Sequence, residues 1–358
     1  MVHVILASAV LIAFLGRKKS RYALAVGFFI LFLFAALRYM YGSDYINYLN
    51  AYNRIKLGLS SPFDEKLCIY LNKISPSFQL LIAASSAVFV SAAYKLVRQN
   101  VSRRRAWISL FIFVISPPIF LMNLSAIRQC MAMVMFMAAV RYGMDRKLIP
   151  YVCLVIMGSL FHKSAIILLP VYLIFRNDQF KRRHMLLVLV LAVVLFWFTN
   201  LSEVAMQVAV WFEDNSYARY ASNDMRNSLR ATLLTGISFL YVFMNIGKLE
   251  GTKLAYAKLA LVGYGMGILA FRLSMFTRIQ MYFDIFTVVA IPTIMEAVNA
   301  EGKIRISFAN PQQTVWRCIN KYVLPTLIIM VYFLRYYSFF TNPMWRAFFT
   351  YQTIFSIM

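Results

Sequence analysis

The sequence predicts an all-α, polytopic transmembrane helical bundle of about twelve helices. Three observations predict it. Of the 358 residues, 61% are hydrophobic and only 14% are charged, with a mean hydropathy of +0.68. The apolar residues gather in runs of about 15 to 22, the length that crosses a hydrocarbon core. Between the runs there is no polar stretch long enough for a soluble domain, so 1–358 reads as a single membrane domain.

Backbone polar groups cannot be left open in lipid, so each run must be helical. Spans are expected near 2–16, 22–38, 77–97, 106–123, 126–142, 148–162, 164–176, 185–201, 230–247, 254–271, 279–298 and 322–340. The runs 148–162 and 164–176 are close enough to form a re-entrant pair instead. Loops 17–21, 95–105, 141–147, 176–184, 248–253 and 303–321 hold more than half of the 37 Lys and Arg residues. The positive-inside rule places those loops in the cytoplasm and both termini outside. The large outward segments are then 39–76, 202–229 and 341–358. The first run is not a cleaved signal peptide, because Arg17, Lys18, Lys19 and Arg21 follow it rather than precede it. No internal repeat is visible, which argues against an inverted-repeat transporter.

The formal net charge of +24 does not point to nucleic acid. The cations sit in short gaps between apolar runs, and no basic tail or recognition motif accompanies them. Cys68, Cys130, Cys153 and Cys318 form no CxxC pair and no metal-ligand spacing, so neither a disulfide nor a structural zinc is expected. No cofactor is implied.

Ionisable groups at membrane depth are costly, and so they mark candidate sites. Arg38 stands at the outer end of the second span, against the charge rule. It is followed by Gly42-Ser43-Asp44, a turn leading into a helix N-cap at Ser43 or Asp44, and by Tyr45 and Tyr48 on one helix face. A capped surface helix with belt aromatics is the plainer reading of that segment. Arg128 and Gln129 open an otherwise apolar run, where an arginine either snorkels to lipid phosphate or points into a cavity. His162, one of three histidines, lies in a tight outward turn and is either a satisfied structural residue or a proton acceptor. Arg272 and Arg278 bracket another outer turn, with Tyr282 one turn further and Asp284 placed to pair with an arginine. The C-terminal Arg335-Tyr336-Tyr337 and Asn342-Pro343-Met344-Trp345-Arg346 read as an amphipathic interfacial helix. The predicted topology puts Arg38, Arg128, His162, Arg272 and Arg278 at the outer face. Several guanidinium groups on one leaflet suit a multiply anionic ligand such as a lipid-linked pyrophosphate.

These segments resemble the EpsG family of bacterial exopolysaccharide polymerases, related to the wider Wzy O-antigen polymerase group. The resemblance rests on Arg38 with Gly42-Ser43-Asp44-Tyr45 and Tyr48, on Asn123 with Arg128-Gln129, on Phe161-His162 with Ser164, and on Arg278 with Tyr282-Phe283. It implies a GT-C-like membrane glycosyltransferase of the bacterial cytoplasmic membrane, with its active site facing the periplasm or exterior. The implied substrates are repeat units carried on undecaprenyl diphosphate, and a chain-length regulator is an implied partner. On that reading Arg128, Arg272 and Arg278 bind diphosphate. Arg38 binds phosphate or holds Asp44, and Asp44 or His162 is the base. Gly42, Tyr45, Tyr48, Gln129 and Tyr282 complete the substrate groove. No metal is expected, since the outward carboxylates are scattered. A lipid-linked oligosaccharide flippase and a membrane O-acyltransferase are the alternatives.

Overall fold

The computed structural model describes residues 1–176, 228–271, 275–300 and 311–357, together with Val190 and Val194. Among them are sixteen α-helices and only two strands, each of two residues. Among the described residues, three helical stretches are long and apolar enough to cross a membrane: Phe78–Asn100, Leu229–Lys248 and Val315–Thr341. A fourth crossing is available from Phe276–Asp284 and Thr287–Ala300, bent by 53°. These make the chain an integral membrane protein. Of the expected outward segment 202–229, residues 202–227 lie outside the described residues, as does the expected span 185–201 apart from Val190 and Val194. The packing divides the chain into two compact units, Met1–Arg176 with Leu334–Met358, and Asn177–Phe333.

In the first unit, α1 (Val2–Gly16) packs along α2 (Ala23–Ala36), and Gly27 permits the approach. A Cβ there would stand 2.8 Å from the Ala9 carbonyl oxygen. After β1 (Arg38–Tyr39) come α3 (Tyr45–Lys56) and α4 (Lys66–Ile74). The segment expected as an outward loop, 39–76, is therefore half helical. Its two helices are amphipathic, with Tyr45 and Tyr52 packed on Phe78 and Ile82. Ser77 caps α5 (Phe78–Asn100), its hydroxyl accepting from the Leu80 amide at 3.2 Å.

The expected span 106–123 is interrupted. α6 (Ala106–Ile115) stops before Pro117-Pro118, which supply no amide hydrogens, and a five-residue α7 (Leu121–Ser125) follows. Ala126 leaves helical geometry, and α8 (Ile127–Met144) begins. Beyond α9 (Leu148–Ser159), residues Lys163–Val171 wind as a 3-10 helix containing Pro170, then α10 (Tyr172–Arg176). The apolar run 164–176 is thus a tight 3-10 segment ending in one α-turn, rather than a regular spanning α-helix.

The second unit holds α11 (Leu229–Asn245), α12 (Gly251–Leu269), α13 (Met275–Asp284) and α14 (Thr287–Ala300), then α15 (Pro311–Cys318). A single π-helical turn, Ile319–Val323, leads into α16 (Leu324–Thr341), most of which belongs to this unit. Gly263 and Gly267 let α12 seat against Phe283 and Gln280. Buried Asn245 and Asn320 exchange two amide hydrogen bonds, at 2.9 and 2.7 Å. The expected span 279–298 is broken at Ile285-Phe286 between α13 and α14.

The C-terminal segment differs from the expected interfacial helix. Pro343–Phe348 form a 3-10 turn, and β2 (Gln352–Thr353) pairs antiparallel with β1, Arg38 opposite Thr353. The Gly42 amide donates to the Ala347 carbonyl at 3.0 Å. Tyr351 stacks on Phe34 with 4.3 Å between ring centroids and donates its hydroxyl to the Phe34 carbonyl at 2.8 Å. The reason is aromatic content. Tyr41, Phe348 and Tyr351 bury their rings together instead of presenting them to the interface.

Candidate functional site

The polar centre of the first unit forms where three short-range decisions of the chain meet. Ala126, at φ −98° and ψ 57°, starts α8 and places Arg128 in its first turn. The turn after α9 leaves His162 extended, at φ −155°, as the residue before the 3-10 helix. The Leu67 amide donates to the Leu160 carbonyl at 3.2 Å, which docks the start of α4 on that turn. Glu65, the residue preceding α4, is thereby carried between Arg128 and His162.

The geometry is close. Arg128 Nη1 donates to Glu65 Oε2 at 2.6 Å, and His162 Nδ1 lies 3.5 Å from Glu65 Oε1. The Glu65 side chain is 5% exposed, whereas those of Arg128 and His162 are 25% and 21% exposed. One buried carboxylate therefore holds two side chains that both reach the surface. The Phe63 ring covers the guanidinium, its centroid 4.3 Å from Arg128 Cζ. Tyr48 approaches from α3, and its hydroxyl accepts from the Arg128 amide at 3.4 Å. At the rim, Lys163 Nζ pairs with Asp64 at 2.9 Å.

Electrostatics follow from this arrangement. Burial raises the Glu65 carboxyl, but the neighbouring His162 imidazole and the charge and hydrogen bond of Arg128 outweigh it and hold the group at about 2. Glu65 is thus ionised throughout the physiological range. Burial pushes the Tyr48 hydroxyl upward and the Cys68 thiol up to about 12, so both are neutral there. Arg128 sits in the first turn of α8, where the helix dipole disfavours a cation by about 0.3–1 kcal/mol. A cation and the amide-rich end of a helix together make an anion-binding position. In the structure the anion at Arg128 is the Glu65 carboxylate.

The remaining residues singled out in the sequence fall in different places. Arg38 is 1% exposed; its Nη1 donates to the Ala35 carbonyl and to Ser86 Oγ at 3.0 Å, and its Nη2 to the Leu124 carbonyl at 3.1 Å. It ties the end of α2 to α5 and α7, and Asp44 is not among its partners. Asp44 does precede α3 as its N-cap residue, but its carboxylate accepts from Asn47 Nδ2 at 3.3 Å rather than from a backbone amide. Gly42 has φ +103°, a region only glycine enters readily, and a Cβ there would collide with Ser125 Oγ. Tyr45 is buried against Phe78, while Tyr48 is partly exposed beside Phe63. Gln129 is buried. Arg278 and Tyr282 stand on α13 in the second unit, Tyr282 fully buried. Asp284, expected to meet an arginine, accepts from Gln280 Nε2 at 3.2 and 3.1 Å. Arg272 lies outside the described residues.

Glu65 was not a candidate in the sequence. Its signal was available: acidic residues number only 13, and Asp64-Glu65 follows an aromatic in an outward segment.

The fold thus joins an arginine, a carboxylate and a histidine where three helix ends of an integral membrane protein meet. The chain is a member of the EpsG family, whose sequence pattern it matches over residues 21–353. That membership gives it a role in exopolysaccharide biosynthesis. No curated protein and no solved structure matches it significantly.

Proposed function

We propose that the chain is a GT-C-like membrane glycosyltransferase that polymerises lipid-linked repeat units. The growing glycan leaves undecaprenyl diphosphate and joins a sugar hydroxyl of an incoming unit at the periplasmic or outer face of the bacterial cytoplasmic membrane. The observation that carries this reading is the pairing of partly exposed Arg128 and His162 on buried Glu65. Glycosyl transfer from a diphosphate needs both of these functions, a cation for the leaving group and a base for the nucleophile.

His162 takes the proton of the acceptor hydroxyl. The oxygen forms a bond to the anomeric carbon, and the bond from that carbon to the diphosphate oxygen breaks. The electron pair departs with the undecaprenyl diphosphate, where Arg128 meets the charge that develops. A guanidinium keeps its charge and offers forked donors, so the step needs no metal. Asp44, one turn from Tyr48, orients the acceptor sugar. Arg38 acts at one remove, setting the chain that leads into Gly42 and Asp44.

Purified protein reconstituted with lipid-linked repeat units tests the reading, with product length followed on a gel. Lengthened glycan on lipid is the expected product. Movement of the units across the bilayer without new glycosidic bonds, or acyl groups added to the sugar, overturns it.

A further inference from the structure

We infer that Glu65 is a positioning residue that sets the working tautomer of His162 and shares its charge between that imidazole and Arg128. The inference rests on the glycosyltransferase reading for its catalytic meaning, but not for its geometry. Glu65 Oε1 faces His162 Nδ1 at 3.5 Å, and Oε2 accepts from Arg128 at 2.6 Å. A carboxylate opposite Nδ1 favours a proton on that nitrogen, which leaves the lone pair on Nε2, the atom that receives the acceptor's proton. When the imidazole becomes an imidazolium, Oε1 meets its charge.

Among the described residues, the other titratable groups of this cluster do not offer the imidazole a negative charge. Glu65 is shared with Arg128 of α8, always charged, and Arg128 in turn meets Tyr48 of α3, neutral because burial raises it. Cys68 of α4, near Glu65 and Arg128, is neutral for the same reason, and at the rim Asp64 is engaged with Lys163. Among the described residues, Glu65 is the carboxylate that meets the imidazole.

The shared carboxylate also links two events. As His162 gains its proton, the pull on Glu65 shifts toward Oε1 and weakens the hold on Arg128. The guanidinium is then released toward the departing diphosphate at the moment that charge forms.

The test uses the full chain in lipid nanodiscs with 15N-labelled histidine. The chain has three histidines, and a His162→Gln variant identifies the relevant signal. At high pH the wild-type protein is expected to show the Nδ1–H tautomer at His162, and Glu65→Gln to lose that preference. In the polymerisation assay, Glu65→Gln should lower the plateau rate about tenfold and move the acid limb to lower pH by about one unit, because an amide no longer steadies the imidazolium. Glu65→Asp, which keeps the charge, should restore part of both. A purely structural glutamate would change the amount of folded protein and leave the tautomer and the acid limb in place, and that result overturns the inference. Should Glu65→Gln fail to fold, an Nε2–H imidazole at His162 of the wild-type protein at high pH overturns it equally. Absence of polymer from the wild-type protein refutes the glycosyltransferase reading instead, and the tautomer measurement still decides the role of Glu65.

Discussion

Replacing Arg128 by glutamine separates its chemical role from its structural one. The Arg128–Glu65 contact is 2.6 Å between heavy atoms, which puts the charge centres about 4 Å apart. At an effective dielectric constant of about 20, the Coulomb attraction is about 4 kcal/mol. The Arg128 side chain is 25% exposed, and solvent screening lowers the stabilising part to about 2 kcal/mol. Arg128→Gln should therefore destabilise the protein by about 2 kcal/mol at neutral pH, because Glu65 is left buried without its counter-charge. The deficit should shrink in acid, where the unpaired carboxyl takes up a proton. The same variant should lose about 3 kcal/mol of transition-state stabilisation, roughly a hundredfold in rate. The double variant Arg128→Gln/Glu65→Gln removes both charges and should regain most of the stability without regaining the rate. Thermal unfolding in detergent and polymer length from lipid-linked units read the two quantities separately. Recovery of polymerisation in the double variant would refute the assignment, since Arg128 would then have served only to neutralise Glu65.

Acid should weaken the wild-type protein as well. Glu65 is held at about 2 against a reference of 4.5, so its contribution to stability is complete above about pH 4.5 and disappears as the pH falls toward 2. Unfolding followed across that window should show a steeper loss in wild type than in Glu65→Gln. Gly42→Ala should cost more than about 2 kcal/mol, from a backbone at φ +103° and a collision with Ser125. Adding Ser125→Gly should relieve the collision but not the backbone strain, which a thermal shift measures. Asn245→Leu should destabilise by about 1–3 kcal/mol by stranding the Asn320 amide, and Asn245→Leu/Asn320→Leu should be milder than the single change. Polymerisation should be undiminished in excess chelator; activity that is lost and then restored by magnesium would contradict the metal-independent step.

Much of this site was legible because charge inside an apolar run is conspicuous. Arg128 interrupts a hydrophobic stretch, and His162 lies in a turn between two others, so both stood out from residue type and position alone. Glu65 did not, because an acid in a polar segment looks like ordinary solvated charge. It is buried where the start of α4 docks on the turn after α9, the Leu67 amide donating to the Leu160 carbonyl. Arg38 was conspicuous for the same reason as Arg128, yet its acceptors include two backbone carbonyls, from Ala35 and Leu124. Carbonyls of distant segments leave no mark in a sequence. Hydropathy located apolar runs but not where they break. Pro117-Pro118 and the Ile285-Phe286 interruption turn expected continuous helices into pairs of shorter ones.

The antiparallel partnership of Arg38 with Thr353 has a consequence for biogenesis. An early part of the chain waits, through synthesis and insertion of all that lies between, for a mate near the far end. Until residues 347–353 have been made, the segment carrying Gly42 and Asp44 lacks the pairing that β2 and the Ala347 carbonyl give it. A nascent chain arrested before residue 347 would hold most of its helices in the bilayer while Arg38 and Tyr39 had no strand to pair with.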